Sequence, residues 1–423
     1  MNNIQKEVFL KKRYSAEKRF KLYGVLSIFL AISFLFILIF NIFNKGSSAF
    51  LKTEILLKVN FDQKKLRLNN NSSEKEIKEA SFDEVLKDAL LALAPLASEL
   101  KQAELIDIVS IDAELELKNF FLNNKDVLNK NYEVSLTLSD DLDQVYKGNF
   151  PRDIPEDRRR FSDFQLEIYD QLISKGKIIS KINWSFFTNA DSREPELAGV
   201  GSSLVGSFFT LFVCLILSFP LGILAAIYLE EFAPKNKITE IIEVNVNNLA
   251  AVPSIVFGLL GLGVFLNYFY LPRSTPLVGG MVLALMTLPR IIIPCRAALK
   301  AVPPSIREGA LALGASKVQT VMHNVVPLAM PGTLSGTIIG LSQALGETAP
   351  LILIGMVAFI NVVPSTPLDP SAVLPVQVYL WSESAERGFV EKTSATIIIL
   401  IFFLIIMNSF AIYLRNKFEK KWS

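Results

Sequence analysis

Six apolar runs, at positions 22–43, 203–229, 249–269, 277–293, 332–360 and 394–414, dominate what this chain can fold into. A membrane helix needs about 20 consecutive apolar residues, and each run reaches or approaches that length. The expected fold is an all-α polytopic membrane protein with six transmembrane helices. Composition agrees: 51% of the residues are hydrophobic, too many for an ordinary soluble domain. A net charge of +2 argues against nucleic acid as a partner. The first run has a second reading as a signal peptide, with Ser47, Ser48 and Ala49 as small residues for cleavage. Its apolar core exceeds the roughly 7–15 residues of a signal, so an uncleaved anchor is expected.

Lysine and arginine near the runs set an orientation. The N-terminal residues 1–21 carry Lys6, Lys11, Lys12, Arg13, Lys18, Arg19 and Lys21. Lys235 and Lys237 follow the second run, and Arg296, Lys300, Arg307 and Lys317 lie between the fourth and fifth. Arg415, Lys417, Lys420 and Lys421 close the chain, whereas the alternate connections hold only Arg273, or Arg387 and Lys392. With six crossings, both termini, including the tail 416–423, face the cytoplasm. Residues 44–200 are then an inserted extracytoplasmic domain of α+β type, and 201–415 the main membrane domain. In the insert, residues 52–61 and 132–138 alternate like strands, and 81–100 and 161–173 have helical spacing, with Ser81 and Ser162 as N-caps. Positions 69–73 and 140–157 read as loops. Nothing in this insert spells out a function.

Chemistry of the usual catalytic kinds is not written in this chain. Cys214 and Cys295 sit in apolar runs, as small buried thiols do. Gly176-Lys177 is followed by Ile178 and lacks the glycine of a phosphate loop. No ATP hydrolysis by the chain itself, no cofactor and no metal site is expected. The unusual stretch is 303–327, PPSIREGALALGASKVQTVMHNVVP, polar and helix-forming between two membrane runs. Glu308 near a helix start complements the helix dipole, Gly314 ends the helix, and Ser316 caps the next turn. Such a stiff helix and turn suits docking into a groove; the other reading is a plain amphipathic connector on the membrane surface.

The stretch resembles the EAA loop of ABC importer permeases, the cytoplasmic helix that docks on the ATP-hydrolysing subunit. Glu308, Gly309 and Ala310 fill the Glu-Ala-Ala part, Gly314 the glycine, and Asn324-Val325-Val326-Pro327 the close. Gly309 replaces alanine at a cost of about 0.5–1 kcal/mol in helix propensity. Asn324 places a polar residue where the pattern has an apolar one. The resemblance extends to Phe219-Pro220-Leu221-Gly222, to Asn248 through Leu260, and to Ala344-Leu345-Gly346-Glu347-Thr348-Ala349-Pro350-Leu351, which are similar to phosphate-importer permeases of the PstA family. It covers roughly half the chain and assigns the insert no role.

That resemblance implies a non-catalytic permease subunit of an ATP-driven importer of inorganic phosphate. Its partners would be a second permease (PstC-like), an ATPase dimer (PstB-like), an extracytoplasmic phosphate-binding protein (PstS-like) and membrane lipid. Arg307, Glu308, Gly309, Ala310, Gly314, Ala315 and Pro327 would form the ATPase-docking loop. For the translocation path the candidates are Glu347, Arg290, Thr348 and Pro350, since a charge inside a span is a functional hypothesis by default. Gly346 and Pro350 predict a bend or break around Glu347. Glu347 either accepts a hydrogen bond from protonated phosphate or holds an arginine in place, on this chain or on the second permease; the arginine role is favoured. Arg290 faces the pore or snorkels to the inner interface. Arg296 reads as an interface charge, His323 as structural, and Glu230 and Glu231 as solvated or paired with Lys235 or Lys237. The alternatives are a permease for another oxyanion, such as molybdate or phosphonate, and a membrane sensor. The short stretch after Leu414 speaks against the sensor.

Overall fold

The computed structural model describes residues 3–69, 72–95 and 98–418, so the basic tail with Lys420 and Lys421 lies outside the described residues. Helix α1, Asn3–Gly46, carries the first apolar run and exposes it along its whole length. A helix that is apolar all round and uncovered by its own chain is made for lipid or for another subunit. Past Phe50 the chain enters a three-stranded antiparallel sheet in the order β2-β1-β3, with β1 at Leu51–Asn60, β2 at Asn131–Thr137 and β3 at Ile178–Ile182. Ile55, Leu57 and Val59 alternate into a core with Phe61, Phe82 and Phe121, whose rings pack edge to face or tilted. Glu54 is the buried charge of the sheet. Burial alone would raise its carboxyl, but hydrogen bonds from Lys181, Lys52 and Ser135 outweigh that and hold it at about 2.

Strands β1 and β2 fall where alternation predicts them, and Ser162 caps its helix in a box with Gln165. Two local expectations are corrected and one strand was missed. Residues 81–100 form two helices, Asp83–Leu91, with Phe82 and not Ser81 at its N-cap, and Glu99–Ile106, interrupted around Pro95; Leu96 and Ala97 lie outside the described residues. Within 140–157, helix α2 spans Asp140–Tyr146, because acidic residues suit its first turn and Leu142 and Val145 reach the core. Strand β3 went unread because its outer residues are exposed, so no buried alternation marks it.

The membrane-length helices follow. Helix α3, Gly201–Ile227, continues through a π-turn at Tyr228–Phe232. Helix α4, Lys237–Ala250, and helix α5, Ser254–Leu260, extended to Tyr268, meet at a 104° bend. The third apolar run is therefore not one straight helix: Pro253 stops α4 and starts α5 in a new direction. Helix α6, Pro276–Lys300, matches the fourth run. After helix α7, Pro304–Ala312, comes helix α8, Val326–Leu345, which ends well before the last residue of the fifth run. A short helix α9, Ala349–Leu353, resumes beyond Gly346-Glu347-Thr348, and α10, Gly388–Phe418, closes the described chain. Among the described residues five helices are long and apolar enough to span a bilayer, and the bent pair is a sixth if counted as one crossing.

Small residues let these helices touch. On α8, Gly332, Gly336 and Gly340 recur every four residues and rest on Ala298, Pro294 and Thr287 of α6. A Cβ at Gly336 would lie 2.5 Å from the Pro294 side chain. Without a hydrophobic drive between helices in lipid, such close backbone approach carries the packing. Gly280 of α6 meets Thr210 and Val213 of α3 in the same way, so α3 and α6 share an end.

The sheet region is joined to α10 by buried charge. Lys147 lies 2.7 Å from Asp143 and 2.9 Å from Glu391, all three side chains nearly enclosed. Glu391 also accepts from Gln144 and Asn149, and Lys392 donates to the Ala198 carbonyl. Burial opposes the Lys147 charge, but Asp143 and Glu391 more than offset it and raise its affinity for the proton.

Candidate functional site

Two places gather the residues singled out from the sequence: the turn after α6, and the break after α8. The turn is built by local rules. Helix α7 ends in a Schellman motif, in which Ala315 N–H donates to Ala310 O and Gly314 N–H to Leu311 O. Gly314 takes φ +86°, a left-handed conformation open to glycine. Ser316 then caps Lys317–Thr320 in a box with Gln319. A π-turn at Val321–Val325 leads into α8, where Pro327 in the first turn has no N–H to give. Ala310 and Ala315 are half-buried, while Glu308, Gly309 and His323 face outward.

What holds this turn to the membrane helices could not be read from spacing. Arg307 makes a forked ion pair with Glu231, with Nη2 at 2.6 Å and Nε at 3.2 Å from Oε1. The same guanidinium donates to Leu299 O at 2.9 Å and Val302 O at 2.7 Å, covering carbonyls at the end of α6. Arg307 thus ties α7 to the ends of α3 and α6 at once. Beside it, Arg296 binds Glu230 at 3.3 Å and Glu243 at 2.7 Å, linking α6 to α4. Glu230 and Glu231 are therefore paired with arginines, not with Lys235 or Lys237. Lys317 instead lies over the Phe232 ring. The outer face of the turn presents Leu311, Leu313, Val318 and Met322, with Leu313 91% exposed. This apolar patch escaped the sequence reading, although its spacing on α7 and beyond was there to be seen.

At the second place, α8 unwinds. Gly346 N–H reaches Gln343 O and Glu347 N–H reaches Ala344 O, closing the last turn. Thr348 then accepts from Leu351 and Ile352 to start α9, with Pro350 buried against Gly258 of α5. Glu347 is half-buried, and among the described residues its carboxylate has no hydrogen bond or ion pair. Arg290 lies on α6 between Pro289 and Pro294, against Gly340 of α8. Its Nη1 is buried without a partner. Arg290 and Glu347 do not pair with each other, so the arginine role for Glu347 finds no counterpart among the described residues.

The chain is similar to known transport proteins. Residues 218–423 match the family described as binding-protein-dependent transport system inner membrane component, and residues 7–156 match a domain of unknown function, DUF3333. The probable ABC transporter permease protein YqgI of Bacillus subtilis is 31% identical over 44% of this chain, which covers 62% of that protein. The probable phosphate transport system permease protein PstA of Methanocaldococcus jannaschii is 28% identical over 55% of this chain and 82% of its own. Phosphate transport system permease protein PstA 1 of Mycobacterium tuberculosis (strain CDC 1551 / Oshkosh) is 31% identical over 52% of this chain and 71% of its own. With the helical bundle, the capped turn after α6 and these matches together, the chain belongs to the PstA family of ABC transporter permease proteins.

Proposed function

We propose that this chain is the inorganic-phosphate permease subunit of an ATP-driven importer, forming the translocation path with a second permease. It crosses the inner membrane six times, counting α4–α5 as one crossing. Both termini and the α7 turn lie in the cytoplasm, and residues 44–200 lie outside. The observation that carries this reading is the turn itself, an outward-facing helix with Glu308, Gly309, Leu311 and Leu313 free to contact another protein. Because Arg307 fastens it to α3 and α6, a push on the turn by an ATPase dimer moves those helices as a body. The chain supplies the path and the coupling; bond cleavage belongs to the ATPase.

Phosphate is the substrate favoured by the relatives' names and by an unpartnered cation among the helices. A guanidinium can grip a phosphate oxygen pair through two parallel hydrogen bonds, so Arg290, with a buried free Nη1, is assigned to the anion. Glu347, at the break with Thr348 and Pro350, is assigned to orient an arginine of the second permease. A binding protein delivers the anion from outside.

The test is ATP hydrolysis by the full complex in proteoliposomes, with binding protein added outside. Stimulation by the phosphate-loaded form, and none by molybdate- or phosphonate-loaded counterparts, is the expected result. Stimulation by one of those instead would transfer the assignment to that oxyanion. No stimulation of an assembled complex by any of them would overturn the coupling.

A further inference from the structure

The sheet region carries large apolar side chains that its own core does not use. Trp184 is 69% exposed, Ile182 58%, Leu51 44% and Phe187 37%. Phe187 stacks on Phe50 at 5.8 Å, Trp184 lies 6.3 Å from Phe187, and Leu51 faces Ile182 across the adjoining ends of β1 and β3. Their height relative to the membrane helices is set by hydrogen bonds. Asn183, itself buried, receives no slack: its N–H donates to Phe50 O and its side-chain amide to Ala49 O, just past the end of α1. On the other side, Val200 N–H donates to Phe186 O and Gly201 N–H to Asn189 O, at the start of α3. A Cβ at Gly201 would lie 2.8–2.9 Å from carbonyls of 187–189, so the segment sits directly on that helix end. Lys45 at the end of α1 is exposed, as suits the headgroup layer.

A second aromatic group lies at the same end of the bundle. Since Gly280 of α6 rests on Thr210 of α3, the two helices start together. Tyr268, Phe269 and Tyr270, shortly before α6 begins, are 74%, 58% and 86% exposed. Tryptophan and tyrosine collect where a bilayer meets water, because the ring is apolar and its N–H or O–H is not.

We propose that Trp184 and Phe187, with Ile182 and Leu51, are a lipid-contact surface that seats the sheet region on the outer headgroup layer, in line with the Tyr268–Tyr270 group. Hydrogen bonds fix the cluster where α1 ends and α3 begins, at the end of two membrane-length helices, and an exposed tryptophan at that level marks lipid headgroups as its occupant. The sheet region is then a body resting on the membrane, clamped at one edge to α10 through Lys147 and Glu391. The proposal depends on α1 and α3 crossing a bilayer and not on the identity of the transported anion.

The experiment uses the full chain in phosphatidylcholine–phosphatidylglycerol vesicles. Emission of the Trp184→Phe variant is subtracted from that of the unaltered chain, isolating Trp184 from the other tryptophans. Lipids brominated near the headgroup should remove most of the Trp184 signal, deeply brominated lipids less, and aqueous iodide little. Independently, a nitroxide on Phe187→Cys, the native cysteines being buried, should be relaxed by oxygen more than by an aqueous nickel chelate. Quenching by iodide with none from lipid would place the cluster in water and overturn the proposal. Protection from both lipid and iodide would assign the surface to a protein neighbour and overturn it equally.

Discussion

Replacing Arg307 by methionine keeps the apolar stem and deletes the charge that fastens α7. Glu231 would be left 8% exposed, and two carbonyls at the end of α6 would lose their donor. Removing one partner of a buried pair costs about 3–5 kcal/mol, whereas exposed pairs are worth about 0–1 kcal/mol. The Arg307 side chain is 24% exposed, which puts this pair between the limits, at about 2 kcal/mol. Local opening of α7 should then be about thirtyfold more frequent, taking about 1.4 kcal/mol per factor of ten. Amide hydrogen exchange across Pro304–Ala312 reads that change directly, and the loss of protection should be confined to this helix and the neighbouring ends of α3 and α6. Adding Glu231→Met should restore part of the protection, because an apolar pair of similar shape no longer strands a charge. Coupling of ATP hydrolysis to transport should fall in Arg307→Met and recover in step. Unchanged exchange in the single variant, or no recovery in the double, would refute the anchoring role.

The two glycines of the turn should respond in opposite directions. Gly309→Ala has open space around it within a helix and should stabilise α7 by about 0.5–1 kcal/mol, whereas Gly314→Ala, at φ +86°, should destabilise it by about 1–2 kcal/mol; the same exchange measurement decides. Lys147→Met should cost about 3–5 kcal/mol by stranding Asp143 and Glu391, seen as earlier thermal unfolding, with partial recovery on adding Glu391→Gln. Burial first, then the charges of Glu196, Asp143, Asp141 and Glu391, push the Asp140 carboxyl from 3.8 up to about 7. A raised carboxyl holds its proton more tightly in the folded state, so stability falls as pH climbs between those values. Asp140→Asn should therefore raise the unfolding temperature above about pH 7 and leave it unchanged below about pH 4; an equal gain at both would contradict the burial argument.

Much of the turn after α6 was legible because its geometry is local. The Gly314 motif closes between residues five apart, and Ser316 and Ser162 cap amides three residues ahead, so residue identity alone specifies them. The break at Gly346-Glu347-Thr348 is of the same kind, a helix stopping where the next begins with proline in its first turn. The 104° bend ahead of the third span was not legible for a related reason: apolar composition reports length in a bilayer, not whether Pro253 lets the helix continue.

Sequence by itself thus determined where the chain can enter lipid, which residues cap and end its helices, and the family motif of the turn. Hydrophobic run length and short-range hydrogen bonds are properties of contiguous residues. Tertiary structure alone decided the long-range pairings: Arg307 with Glu231 across 76 residues, Lys147 with Glu391 across 244, and the glycine ladder of α8 on α6. No periodicity marks which charge meets which, because that choice is made when packed helix ends bring groups distant in sequence into the same desolvated space.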